Sequence, residues 1–82
     1  MTIKNLFSKL SKMNISYTIL DLNGYNKDVC FSINSMSFKA GFCEGKEIIQ
    51  DFCREICYDN CNQEMERRFF ETFSQLVRYA NR

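Results

Sequence analysis

Residues 46–80, KEIIQDFCREICYDNCNQEMERRFFETFSQLVRYA, decide the fold, because along them an apolar or thiol side chain returns at every fourth position: Ile49, Cys53, Cys57, Cys61, Met65, Phe69, Phe73 and Val77. A helix turns once per 3.6 residues, so each four-residue step overshoots by about 40°, and the whole series drifts roughly 280° around a straight rod. One unbroken helix cannot bury all of it on one side. Tyr58-Asp59-Asn60 interrupts the apolar pattern with turn-forming and capping residues, so the spacing predicts two helices joined by a bend. The first, over 46–58, would bury Ile49, Phe52, Cys53, Ile56 and Cys57 and expose Glu47, Asp51, Arg54 and Glu55. The second would start at a capping box of Asn60 and Gln63, with Glu64 and Glu66 near its positive end, and run to about Tyr79. Its inner line would be Met65, Phe69, Phe73, Leu76 and Ala80, leaving Glu64, Arg67, Arg68, Glu71, Gln75 and Arg78 outside. Phe70 falls off that line, so it either widens the buried face or lies on the surface.

Working back toward the N-terminus, Ile3, Leu6, Phe7, Leu10 and Met13 recur at helical spacing behind Thr2, a good N-cap, and Asn14 is placed to end the helix. Its outer side carries Lys4, Lys9 and Lys12. The period then changes. Ile15, Tyr17 and Ile19 alternate with Ser16 and Thr18, which reads as a strand over 15–22, with Leu20 and Leu22 on the second side. Asn23-Gly24-Tyr25-Asn26-Lys27 has the composition of a turn. A second strand over 28–34 has Val29, Phe31 and Ile33 on one face and Cys30 and Ser32 on the other. Asn34-Ser35 makes a tight connection, and Met36, Phe38, Ala40 and Phe42 alternate through a third strand. The expected architecture is therefore α+β: a three-stranded antiparallel meander with helices packed on one face, in the order α-β-β-β-α-α. The other sheet face, with Ser16, Thr18, Cys30, Ser32, Ser35 and Ser37, is polar enough to stay wet.

An 82-residue chain suits a single small globular domain spanning 1–82. Eleven Lys and Arg against ten Asp and Glu leave no global field of the kind that drives nonspecific nucleic-acid binding, so a charged partner must be met by a local patch. No run approaches the ~20 apolar residues that cross a bilayer, and Met1-Thr2-Ile3-Lys4 opens no signal-peptide core, so the expected setting is cytoplasmic, away from membranes. There the five cysteines, Cys30, Cys43, Cys53, Cys57 and Cys61, serve as small hydrophobes.

No enzymatic set emerges. The chain has no histidine, the commonest general base and metal ligand near neutral pH, and its three glycines are scattered rather than gathered into a phosphate loop. Zinc favours CxxC knuckles, whereas Cys53, Cys57 and Cys61 are spaced CxxxCxxxC; on a helix the outer two lie ~12 Å apart. A cysteine-based metal-binding protein is the second alternative, and no metal or cofactor is expected. A nucleic-acid accessory role is the first alternative, through Lys4, Lys9, Lys12 and Lys27 with Tyr17 and Tyr25 nearby in sequence. The main expectation is a non-enzymatic module that binds another protein. Arg67, Arg68, Phe70, Arg78 and Tyr79 are of the types enriched at interface hot spots, and self-association through Phe70 and Tyr79 is a variant of that reading.

With this element order, the chain resembles the small phage-borne anti-CRISPR proteins that inhibit type II effectors. The matches are Ile3 and Leu6, Tyr17-Thr18, Ile33-Asn34, Ile48-Ile49 with Phe52, and Asn62-Gln63-Glu64. They span most of the length but are mainly core positions. Those inhibitors imitate duplex DNA with clustered carboxylates, whereas this chain is near neutral and has Arg67-Arg68 where acids are expected, so no binding residue is carried over. The resemblance implies a phage or mobile-element protein that binds a host or viral protein.

Overall fold

A computed structural model describes residues 1–57 and 65–82, without the side chains of residues 56, 57, 65 and 66. The element order is α1 (Ile3–Lys12), β1 (Tyr17–Asp21), β2 (Asn26–Ile33), β3 (Met36–Cys43), β4 (Asp51–Cys57), β5 (Met65–Phe70) and α2 (Phe73–Ala80). The strands form one sheet in sequential order, each antiparallel to the next. The expected α-β-β-β-α-α order with a three-stranded meander is therefore corrected. The meander has five strands, the segment assigned to a helix over 46–58 supplies β4, and the segment assigned to the last helix is divided into β5 and a shorter α2. The bend at Tyr58-Asp59-Asn60, the capping box of Asn60 and Gln63, Cys61, Glu64 and the Asn62-Gln63-Glu64 match lie outside the described residues, as do the side chains of Ile56, Cys57, Met65 and Glu66.

The reason for the correction is arithmetic. A spacing of four is close to the helical period but is also an even number, and strand side chains repeat every two residues. The stripe through Cys53 and Cys57, and again through Met65 and Phe69, therefore satisfies a strand equally well. In the register of β4 against β5, Phe52 stands opposite Phe70, Cys53 opposite Phe69, Arg54 opposite Arg68 and Glu55 opposite Arg67. One face of this hairpin thus carries the buried phenyl rings of Phe52 and Phe70, while the other carries Cys53, Glu55, Arg67 and Phe69. Just upstream, the chain runs extended beside the N-terminus instead of entering a helix. The amide of Ile3 donates to the Glu47 carbonyl at 2.9 Å, and that of Ile49 donates to Met1 at 2.9 Å.

The first half follows its local signals. Thr2 caps α1, its hydroxyl accepting from the Asn5 amide, and Asn14 takes a positive φ of 57° just past the helix end. In the β1–β2 connection the Asn23 side chain accepts from the amides of Tyr25 and Asn26. Asn34 and Ser35 have φ of 51° and 67°, the left-handed pair that a two-residue hairpin turn requires. Asn34 also donates to the Ala80 carbonyl at 2.9 Å and to the Asn81 side chain at 2.8 Å, tying this turn to the end of α2.

Both helices cover the same face of the sheet. Leu6 and Leu10 from α1 and Phe73, Leu76 and Ala80 from α2 close over Val29, Phe31, Ile33, Phe38, Ala40, Phe42, Phe52 and Phe70. Phe38 sits within this layer between Phe31 and Phe70, with ring centroids 5.9 and 6.1 Å away. The burial of so many rings is the main source of stability in so small a domain. Among the described residues, no helix is long and apolar enough to cross a membrane.

Candidate interaction surfaces

The amphipathic patterns of the two helices dictate what their outer side presents. With Leu6 and Leu10 turned inward, α1 directs Lys4, Lys9 and Lys12 to solvent; with Phe73, Leu76 and Ala80 inward, α2 exposes Arg78. Neither helix contains an aspartate or glutamate. Between the C-terminal end of α1 and the outer side of α2, an open groove of about 410 Å³ is lined by Lys9, Lys12, Met13, Phe73, Ser74, Val77 and Arg78. It has an apolar floor and three cations around it.

On the other flank of α2, Tyr79 lies over β4 and β5. Its ring is 5.2 Å from Phe70 and is approached by the guanidinium groups of Arg68 at 4.6 Å and of Arg54 and Arg82 at 5.6 Å each. Arg54 also donates to the Tyr79 hydroxyl at 2.7 Å.

The sequence-predicted interface residues are therefore separated. Phe70 is 9 % exposed and belongs to the core. Arg68 and Tyr79 stand together, Arg78 borders the inter-helix groove, and Arg67 points from the opposite side of the sheet, 3.4 Å from Glu55. Of the lysines considered for nucleic acid, Lys9 and Lys12 share the groove and Lys4 is exposed on α1. Lys27 is paired with Glu44, which holds its pKa above the ordinary lysine value. Met13, Val77, Arg54 and Arg82 belong to these surfaces without having been singled out from the sequence.

The helix-free face of the sheet is of a different character. One row across it reads Thr18, Cys30, Lys39, Cys53, Phe69, and the next reads Leu20, Asp28, Gly41, Asp51. Glu55 bridges Lys39, at 3.2 Å, and Arg67. The Gly41 amide donates to the Asp51 carboxylate, and a Cβ at Gly41 would come within 2.6 Å of that oxygen, so a larger residue there would displace the Asp51 side chain. Cys30 and Cys53 flank Lys39, two strand spacings or ~10 Å apart, too far for a disulfide. Burial pushes both thiols above their usual pKa, Asp28 adding to this at Cys30 and Glu55 at Cys53. Among the described residues, no three metal-ligating side chains gather in a way that would hold an ion.

Burial also raises the pKa of Asp28, against the opposing pull of Lys39 and with help from Asp51 and Glu55. The native state thus favours the protonated acid, so the ionised form detracts from stability above the folded pKa, and this loss disappears as pH falls below the unfolded value. Asp28→Asn is accordingly expected to raise the thermal midpoint slightly at pH 7, by less than ~1 kcal/mol in stability, with the advantage shrinking as the pH is lowered through the carboxylate range. Calorimetry of both proteins from pH 7 to pH 3 checks the sign.

No family model matches the chain, and neither a curated protein nor a solved structure matches it.

Proposed function

We propose that this chain is a non-enzymatic interaction module that binds another protein through its two-helix face, the groove between α1 and α2 receiving an acidic, partly apolar segment of the partner. The observation that carries the reading is the composition of that groove. Lys9, Lys12 and Arg78 surround Met13, Val77 and Phe73, and the two helices that form it contain no carboxylate. An acidic amphipathic segment matches both halves of this surface, its apolar side on the floor and its carboxylates on the cations. A nucleic acid matches only the charge. Stacking platforms for bases need accessible aromatic faces. Among the described residues, the well-exposed aromatics lie elsewhere, Tyr25 in the β1–β2 connection and Phe69 on the helix-free face, while Tyr17 is stacked on Phe7 at 4.5 Å. The non-enzymatic part is supported by the missing histidine and by the thiols of Cys30 and Cys53, which are shifted away from the thiolate a nucleophile needs.

The test compares an acidic amphipathic peptide, a basic peptide of the same apolar pattern and a single-stranded RNA as probes of the purified chain at physiological salt. The acidic peptide is expected to bind preferentially, and K9E/K12E/R78E to weaken it by at least ~10-fold, the three positions being exposed and free to change without disturbing the core. Equal binding of the basic peptide, or a preference for RNA with steep salt dependence, would contradict the proposal.

A further inference from the structure

The arginine cluster on the far flank of α2 has a feature that the groove does not. Three guanidinium groups from three separate elements, Arg54 of β4, Arg68 of β5 and Arg82 beyond α2, converge on one phenol ring at 4.6 to 5.6 Å. Among the described residues, the ion pairs of the chain involve Lys27, Lys39 and Arg67, and none of these three arginines. Like charges gathered around one ring repel one another, and the ring face attracts Arg68 and Arg82 only through its quadrupole. The arrangement is nonetheless anchored: Arg54 is half-buried and hydrogen-bonded to the Tyr79 hydroxyl, and the Tyr79 ring rests on Phe70.

We propose that Arg54, Arg68 and Arg82, held around Tyr79, form a binding site for a phosphate monoester dianion, whether borne by a small molecule or by a phosphorylated side chain. The chemistry selects this class over a simple carboxylate. Three positive charges converging on one ring are best met by a group with close to two negative charges, and a phosphate presents three acceptor oxygens to planar guanidinium forks that donate in pairs. A carboxylate offers one charge and two oxygens. The site stands apart from the groove and does not depend on what the groove binds.

Backbone amide shifts of the full chain, followed by NMR, are the readout, with inorganic phosphate, a phosphoserine peptide and its unphosphorylated form as probes, and sodium acetate at matched ionic strength as the control. Phosphate or the phosphopeptide is expected to shift the resonances of Arg68, Tyr79 and Arg82, whereas acetate and the unphosphorylated peptide leave them in place. The tighter of the two phosphate probes identifies the source of the dianion. Arg68→Gln with Arg82→Gln, both at exposed positions, is expected to weaken that binding at least ~10-fold, and Arg68→Lys to restore only part of it because the charge returns without the fork. Lys9→Gln with Lys12→Gln should leave it unchanged, which separates this site from the groove. Absence of a shift from either phosphate probe up to about 10 mM, equal shifts from acetate, or binding that survives the double arginine substitution would overturn the proposal.

Discussion

Replacing Phe70 by alanine is expected to cost about 3–5 kcal/mol, whereas the same change at Phe69, its immediate neighbour, is expected to cost less than ~1 kcal/mol. In β5, adjacent side chains point to opposite faces of the sheet. Phe70 is 9 % exposed and packs against Phe38 and Tyr79, while Phe69 is 63 % exposed on the face without helices. Loss of the Phe70 ring would leave a cavity beside Phe38 and remove the surface on which Tyr79 rests. Urea denaturation of the two variants measures the difference, and the thermal midpoint of Phe70→Ala should fall by ~15 °C or more. A helix through this segment implies the reverse order, because its inner line passes through Phe69 and leaves Phe70 aside. Equal costs, or a larger cost at Phe69, would refute the strand assignment.

Leu76→Ala is the second large effect, expected at about 2–5 kcal/mol. Leu76 is fully buried and is the middle inward residue of an α2 only eight residues long, between Phe73 and Ala80. A helix this short is held by its packed face rather than by its own hydrogen bonds. Its N-cap, the Thr72 hydroxyl accepting from the Gln75 amide at 3.2 Å, supplies only part of what is needed. Removing the leucine therefore loosens α2 as a unit, and with it one wall of the cationic groove. Ser74→Ala, at an exposed position on the same helix, should stay within ~0.5 kcal/mol of the parent. Differential scanning calorimetry of the pair provides the comparison, and a Leu76→Ala protein as stable as Ser74→Ala would show that α2 is not packed as described.

The elements that could be read from the sequence were those in which only one period fits. Ile3, Leu6, Phe7 and Leu10, separated by both three and four residues with Thr2 ahead, break two-residue alternation and suit a helix alone. Val29, Phe31 and Ile33, followed by Asn34-Ser35 and then Phe38, Ala40 and Phe42, suit a hairpin and nothing else. Between 49 and 69 the four-residue spacing satisfied both periods, and turn-forming residues are equally at home between helices and between strands. What distinguished the two was long-range pairing: the phenyl rings of Phe52 and Phe70 and the opposite charges of Glu55 and Arg67 fall opposite one another about a common centre. Such pairing becomes visible only once a hairpin is supposed.

The surfaces were partly legible for the same reason. The outward lysines of α1 and the outward Arg78 follow from helical period, but their meeting across one groove depends on how the two helices lie on the sheet. Arg54 and Arg68 come to the same ring because they are cross-strand partners, which a helical reading of either segment conceals.

The pairing of β4 with β5 carries both the fold and the arginine cluster, and cross-strand NOEs test it most directly. Phe52 and Phe70, and Arg54 and Arg68, should show backbone contacts, since paired strands bring their Cα atoms to roughly 4.5–5.5 Å. Continuous contacts between each residue and the third one along, through 51–57 and 65–70 and without any link from Arg54 to Arg68, would mean that these segments are helical and the five-stranded sheet is wrong.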